Sequence, residues 1–375
     1  MAQYRKAKPE ESQDLISLAN LAFERDMERL VSKVYRSEFD PASITWVADK
    51  QGELVGQTAV LPQALNVFGK RLNVGFIGTV SVHPDHRGEG HMKALMNASI
   101  EEMRQNFDLG VLSGRRQRYE HFGFTPGGVT HKYTINQMNV RDANTKQENY
   151  GFAPLFEQEG ALNFALAMNK KRIVNIQRSA DLLPDILSNF GRQSIAILKN
   201  GKLTGYLIAN DKWDEISEIE IECEIENECN QELLSILKAY LLSNGLESVA
   251  IRAPEYDIHL NSALSGVAEG MSIETPEKFL IFDFPKVVEA YLKLKQAISG
   301  LSWGEFSAVI DGAPIFIKVD KDGVYVEPSA TQNAHSLGRQ EAQMLFLTSR
   351  AKWASIKVPQ DWFPLPLYWH TADLF

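Results

Sequence analysis

The chain has 375 residues, enough for two or three domains, and 44% of them are apolar, which excludes wholesale disorder. With 39 basic against 48 acidic residues the formal charge is −9. That balance disfavours nucleic acid as a partner and suits either a cationic small molecule or plain solubility. No run of about 18 apolar residues occurs, and the N-terminal MAQYRKAKPEESQDL is charged from residue 5, so no membrane segment or secretory leader is expected and the chain reads as cytoplasmic.

The first third reads as alternating strands and helices. YRKAK (4–8) is a short strand, and PEESQDLISLANLAF (9–23) opens on Pro9 and acidic residues before Leu15, Leu18, Ala19 and Ala22 recur at helical spacing. ITWVAD (44–49) and ELVGQTAVLPQ (53–63) form a hairpin around Gln51 and Gly52, and RLNVGFIGTVSV (71–82) is a long strand stopped by Pro84. EGHMKALMNASIEEMRQN (89–106) is a helix with Met92, Leu95, Met96 and Ser99 on one face. LGVLSG (109–114) is a buried strand, and RRQRYEHFGF (115–124) is a short helix ended by Gly123.

RDANTKQENY (141–150) is polar and reads as a linker. Beyond it, SIAILKNGKLTGYLIAND (194–211) echoes ITWVADKQGELVGQTAV (44–60), with Gly205 matching Gly56, so two copies of one fold are expected. The second copy continues as strand then helix over 218–241 but has neither arginine nor glycine between them. The two cysteines make no disulfide framework, and Cys223, in EIECEIENE, reads as a packing residue. A metal site would need more soft ligands, so no metal is expected. The last segment carries a helix at 285–296, alternating strands over 304–328, a helix at 339–349 and the tail VPQDWFPLPLYWHTADLF.

The stretch SVHPDHRGEGHMKALM (81–96) bares backbone at the mouth of a helix. First-turn amides have no intrahelical partner, and the helix dipole favours an anion there. Glycine lets that anion approach, and Arg87 can add a charged contact. A turn that only ends a strand would look similar. The strand before it and the helix after it, however, resemble the acyl-CoA motif R-x-x-G-x-G/A of the GNAT N-acetyltransferases. Here the motif reads Arg87, Gly88, Glu89, Gly90, His91, Met92, with Met92 where a small residue is usual. The resemblance implies that the strand end Val80, Ser81, Val82 pairs with the pantetheine arm of acetyl-CoA. It also implies that the turn from Arg87 to Met92 holds the pyrophosphate, and that Tyr119 gives a proton to the leaving thiolate.

The whole chain resembles the enhanced intracellular survival (Eis) acetyltransferases. That likeness implies an α/β (α+β) protein with two tandem GNAT folds and a sterol-carrier-like end: a catalytic domain over 1–145, a degenerate copy over 146–284 and a third domain over 285–375. In that group the C-terminal carboxylate, here of Phe375, enters the first domain's active site. The final fourteen residues hold two Trp, two Phe and one Tyr, a composition suited to docking rather than fraying. Asp26 and Glu28 are candidates for the substrate ammonium, or a solvated helix face. His86 reads as a loop residue beside the motif, and His91 and Met92 as helix-start packing. The implied activity is direct acetyl transfer to a primary amine, either an aminoglycoside-like polyamine or a lysine side chain, in a homo-oligomer, with a hexamer as the implied form. The rival readings are a non-catalytic acyl-CoA or lipid sensor and an N-myristoyltransferase-like enzyme.

Overall fold

A computed structural model describes residues 2–35, 39–143, 148–223 and 226–375. The chain starts with β1 (Gln3–Lys6) and α1 (Ser12–Phe23), which buries Leu15, Ile16, Leu18 and Ala19 on one face. Two short helices, α2 (Met27–Leu30) and α3 (Ser32–Tyr35), follow. β2 (Thr45–Lys50), β3 (Glu53–Val67) and β4 (Lys70–Val82) form an antiparallel meander, and α4 (His91–Asn106) crosses to β5 (Leu109–Ser113), parallel to β4. Then come α5 (Arg116–Tyr119) and β6 (Thr125–Pro126).

The middle of the chain supplies β7 (Thr130–Asn136), α6 (Gln137–Asp142), β8 (Tyr150–Pro154), α7 (Ala161–Lys171), β9 (Val174–Ile176) and α8 (Leu183–Leu187). It continues through β10 (Gln193–Lys199), β11 (Lys202–Ala209), β12 (Glu215–Ile221), α9 (Glu226–Ser243), β13 (Ser248–Pro254), α10 (Ile258–Ser265), β14 (Gly270–Glu274) and β15 (Glu277–Ile281). The last part is α11 (Phe284–Ser299), β16 (Gly304–Ile310), β17 (Ala313–Asp320), β18 (Gly323–Glu327), β19 (His335–Leu337) and α12 (Arg339–Leu347). The linker expected over 141–150 falls partly on 144–147, outside the described residues.

Three sheets result. Eight strands run β1-β2-β3-β4-β5-β15-β6 with β9 beside β3, seven run β14-β7-β13-β12-β11-β10-β8, and four run β18-β17-β16-β19. The first two sheets exchange strands. β7 leaves the first stretch of chain for the second sheet, while β9 and β15 return to the first. The expected divisions at 145 and 284 therefore do not coincide with the sheets. β15 pairs antiparallel with both β5 and β6 and so covers an edge that β5 would otherwise expose.

The echo between the two hairpins extends to their irregularities. Gly56 lies opposite Ala48 and Gly205 opposite Ile197, and in each hairpin a bulge follows the residue facing the glycine. One reading needs correction: Cys223 is not a lone packed thiol but is joined to Cys229 by a disulfide, with Cα atoms 5.5 Å apart. No described helix is long and apolar enough to cross a membrane.

The tail does not fray. Trp362, Phe363, Leu365, Leu367, Tyr368, Trp369 and Phe375 are all buried, in the same core as Phe76 of β4, Phe279 of β15 and Val287 of α11. Trp369 packs against Phe76 and Phe279 at ring separations of 6.2 and 6.5 Å.

Candidate active site

The site grows from the point where two parallel strands part. β4 pairs with β5 only from Val74↔Leu109 to Ile77↔Leu112, whereas its ladder with β3 continues to Val82↔Gly56. Past Ile77 the side of β4 that faced β5 is therefore left without that partner. A bulge lies at the same place: Gln57 faces Ser81 and Ala59 faces Gly78, so Thr79 and Val80 share the position opposite Thr58. Thr79 holds φ at +46° while buried, a conformation that a β-branched residue adopts only under constraint from its surroundings. Nothing in GTVS (78–81) announces this, because the stretch reads as an even strand. Val80 and Val82 are half-buried and Ser81 is buried. Thr58 Oγ1 and Ser81 Oγ are buried with no hydrogen-bond partner among the described residues.

From β4 the chain passes through a 3-10 turn at Pro84–His86 into the glycine turn. Gly88 and Gly90 have φ of +88° and +87°, and a Cβ on either would meet nothing within 4 Å. Backbone conformation, not internal packing, accounts for these two glycines. Gly90 is the N-cap of α4 and no side chain caps that helix, so its first-turn amides lack a protein side-chain acceptor. With exposed Arg87 beside them, these features fit a diphosphate. Met92 packs against the α4-side core, which turns its bulk away from the turn. Glu89 is exposed and carries an ion pair to Lys50, while His91 is buried.

Two groups reach the parting strands from opposite faces of the sheet. The carboxyl carbon of Phe375 lies 2.9 Å from where a Cβ on Gly78 would stand, and its ring Cδ1 2.6 Å from the same point. Only glycine admits the chain end there. Phe375 shares its core with Phe76, whereas Tyr119 belongs to the core of Ile77 and Leu112 on the other face. The Tyr119 ring lies 2.6 Å from where a Cβ on Gly114 would stand, just past the last β5 pairing. Burial pushes the Tyr119 phenol above its ordinary value, with Arg118 pulling the other way, so at neutral pH the group holds its proton.

The tail is held by residues the sequence did not single out. Buried Lys33 donates to Ala372 O at 3.1 Å, Gln63 Nε2 to Asp373 O at 2.7 Å, and Asn189 Nδ2 to Leu374 O at 2.7 Å. Arg178 donates to both oxygens of Asp373 at 3.0 and 2.8 Å and to both of Glu218 at 3.0 and 2.9 Å. Burial works against the Glu218 charge, but Arg172 and Arg178 outweigh it and hold the carboxyl well below its usual range. Burial takes the His370 imidazole down to about 3, so it is neutral beside these charges. A cleft of about 450 Å³ opens alongside, lined by Lys33, Gln63, Gln177 and Asp373.

The remaining candidates stand apart from these contacts. Asp26 accepts the Arg29 N–H at 3.0 Å as the N-cap of α2 and is exposed, as is Glu28. His83 Nδ1 accepts from the Asp85 N–H at 3.3 Å.

Residues 3–127 match the family model described as an acetyltransferase (GNAT) domain. A comparison with curated proteins finds no match. Among solved structures, a conserved protein of unknown function from Enterococcus faecalis V583, described as a probable N-acyltransferase, is similar with a TM-score of 0.67 at 17% identity, covering 92% of this chain and 90% of its own. A GCN5-related N-acetyltransferase from Anabaena variabilis ATCC 29413 gives 0.64 at 16% identity over 92% and 90%. Eis1 from Mycobacterium abscessus gives 0.63 at 15% identity over 96% and 95%. These likenesses establish the fold across nearly the whole chain. The domain match adds the chemistry of its family, acyl transfer from an acyl-CoA to an amine.

Proposed function

We propose that this chain, an acyltransferase with a GNAT acetyltransferase domain at residues 3–127, moves acetyl from acetyl-CoA to a primary amine on a cationic acceptor, as Eis-type enzymes do. The observation that carries the reading is the seating of the Phe375 carboxyl against Gly78, with Tyr119 on the opposite face of the same strand opening. The turn from Arg87 to Met92 would hold the diphosphate of CoA, and Val80, Ser81 and Val82 would pair with its pantetheine arm. The thioester would then lie between the two groups. The neutral amine attacks the acetyl carbon, its proton passes to the terminal carboxylate, and the carbon–sulfur bond breaks. The departing thiolate takes the Tyr119 proton, so donor, acceptor and proton count balance without a covalent acyl-enzyme.

The acceptor would enter by the cleft beside Lys33, Gln63 and Asp373. The overall charge of −9 favours polyamines or lysine side chains. The paired hairpins and their matching bulges support reading the second sheet as a degenerate copy of the first. The four-stranded sheet under α11 and the tail serves as the sterol-carrier-like scaffold that delivers the C-terminus. Thiol release from acetyl-CoA across a panel of amines tests the reaction. Tyr119→Phe is expected to lower kcat about 10²-fold with acetyl-CoA affinity kept. Binding of acetyl-CoA without release for any amine would instead make the chain a sensor.

A further inference from the structure

Three metal-type ligands that the proposed transfer leaves unused meet beside the glycine turn. His86 Nδ1 lies 2.9 Å from Glu89 Oε1, and His91 Nε2 lies 3.2 Å from Glu89 Oε2. One donor atom from each residue, all within 4.8 Å of one another, makes this the group among the described residues with metal-ligand geometry. His91 is buried, and its other nitrogen, Nδ1, lies 3.0 Å from Tyr4 Oη. If Nδ1 carries the proton and the phenol oxygen accepts it, Nε2 presents a lone pair, the arrangement that orients a metal-binding imidazole. A cation already stands among these lone pairs. Lys50 Nζ is 3.2 Å from His86 Nδ1 and 3.0 Å from Glu89 Oε2, at the end of a partly exposed side chain that can swing into water.

We propose that His86, Glu89 and His91 bind a divalent transition-metal ion, Zn²⁺ being the type, in place of the Lys50 ammonium. Two imidazole nitrogens and one carboxylate oxygen leave a fourth position for water. Tyr4 belongs to β1, so an ion on His91 Nε2, with Nδ1 held by the phenol, would tie the glycine turn to that strand. Given the acetyl-CoA reading of the turn, on which this consequence rests, ion and acetyl-CoA would strengthen each other's binding by the same factor.

Calorimetric titration of the full chain with ZnCl₂, and the visible absorption of the chain loaded with Co²⁺, test the site without acetyl-CoA. One ion per chain is expected, with a tetrahedral Co²⁺ spectrum. His86→Gln and Glu89→Gln should abolish both signals. Because loss of buried His91 could disturb folding, Lys50→Met supplies the opposite sign: it removes the competing ammonium and should tighten binding about fivefold. No bound ion, equal binding by His86→Gln and Glu89→Gln, or unchanged affinity in Lys50→Met would overturn the proposal. Acetyl-CoA affinity is expected to rise about fivefold with Zn²⁺, and no rise would overturn the coupling. Thiol release that persists in a chain binding no ion would sink the metal site and leave the transferase standing.

Discussion

β4 and β5 part after Ile77 and Leu112, and β12 and β13 part after Ile216 and Ile251, so the molecule forms the same opening twice. The first leads to a turn with Gly88 and Gly90 at positive φ and to a helix without a side-chain cap. At the corresponding place in the second, ECEIENE (222–228) has four glutamates and no glycine, a composition that repels a diphosphate. There the Cys223–Cys229 disulfide ties the strand end to α9. The second opening keeps a cavity of about 420 Å³, but Arg172, Glu218, Glu220 and the tail's His370 line it. Tyr368 Oη reaches Ser217 O at 3.5 Å, and Glu218 grips Arg178, which grips Asp373. One opening thus leads to a helix mouth suited to an anion, whereas residues around the other hold the chain's last segment through Arg178 and Asp373.

The largest effect that can break this comparison is loss of the last residue itself. Deleting Phe375 is expected to lower kcat about 10³-fold in the thiol-release assay, with calorimetric acetyl-CoA affinity nearly unchanged. Gly78→Ala should act in the same direction, because its Cβ would meet the terminal carboxyl carbon at 2.9 Å. A variant that lost stability but kept turnover would show that the tail only packs. Next in size is Arg178→Met, which leaves Glu218 and Asp373 buried without that partner. Breaking a buried pair in this way should cost about 3–5 kcal/mol in denaturant unfolding, and turnover should fall with it. Activity intact in this variant would separate the second sheet from the catalytic end.

What could be read beforehand follows from the range of the interactions. The glycine turn, the helix after it and the echo of 44–60 in 194–211 are written in local spacing, and local spacing survives into the structure. The five aromatic residues of the tail made its burial legible from composition. Strand exchange was not legible, because whether 277–281 pairs with β5 or with the second sheet is decided by partners far away in the chain. Arg178 looks ordinary within VNIQRSAD, and its partner Asp373 is 195 residues distant. The Thr79 bulge was also hidden, since one extra residue in a long apolar strand leaves no mark in composition.

A smaller effect concerns Lys33, whose buried ammonium donates to Ala372 O in the tail. Burial pushes its ammonium down to about 7 from an ordinary 10.5, against the pull of Asp373 and with the help of Arg178. Between pH 7 and about 10 the unfolded chain therefore holds more protons at this site than the folded one, so stability rises with pH there, by at most about 1.4 kcal/mol per unit. Lys33→Met lacks this contribution. Denaturation midpoints at pH 7 and pH 9 should show the wild-type chain gaining on the variant, and parallel shifts would sink the assignment.

The smallest effect tests a carboxylate in the opposite setting to Glu218. Asp26 is exposed and spends one oxygen on the Arg29 N–H. Asn caps a helix about as well as Asp, so Asp26→Asn should leave the unfolding midpoint in place while removing the charge. Asp26→Ala, by contrast, should lose about 1 kcal/mol with the cap. A single exposed charge facing an acceptor ammonium is worth roughly 0.5 kcal/mol, so Asp26→Asn should raise KM for a polyamine about twofold at low salt and not at all at high salt. A KM that rises in Asp26→Ala but not in Asp26→Asn would assign the effect to helix position rather than charge. That outcome would leave the acceptor's cationic character to the buried side of the cleft, where carboxylates such as Asp373 are already committed to arginine.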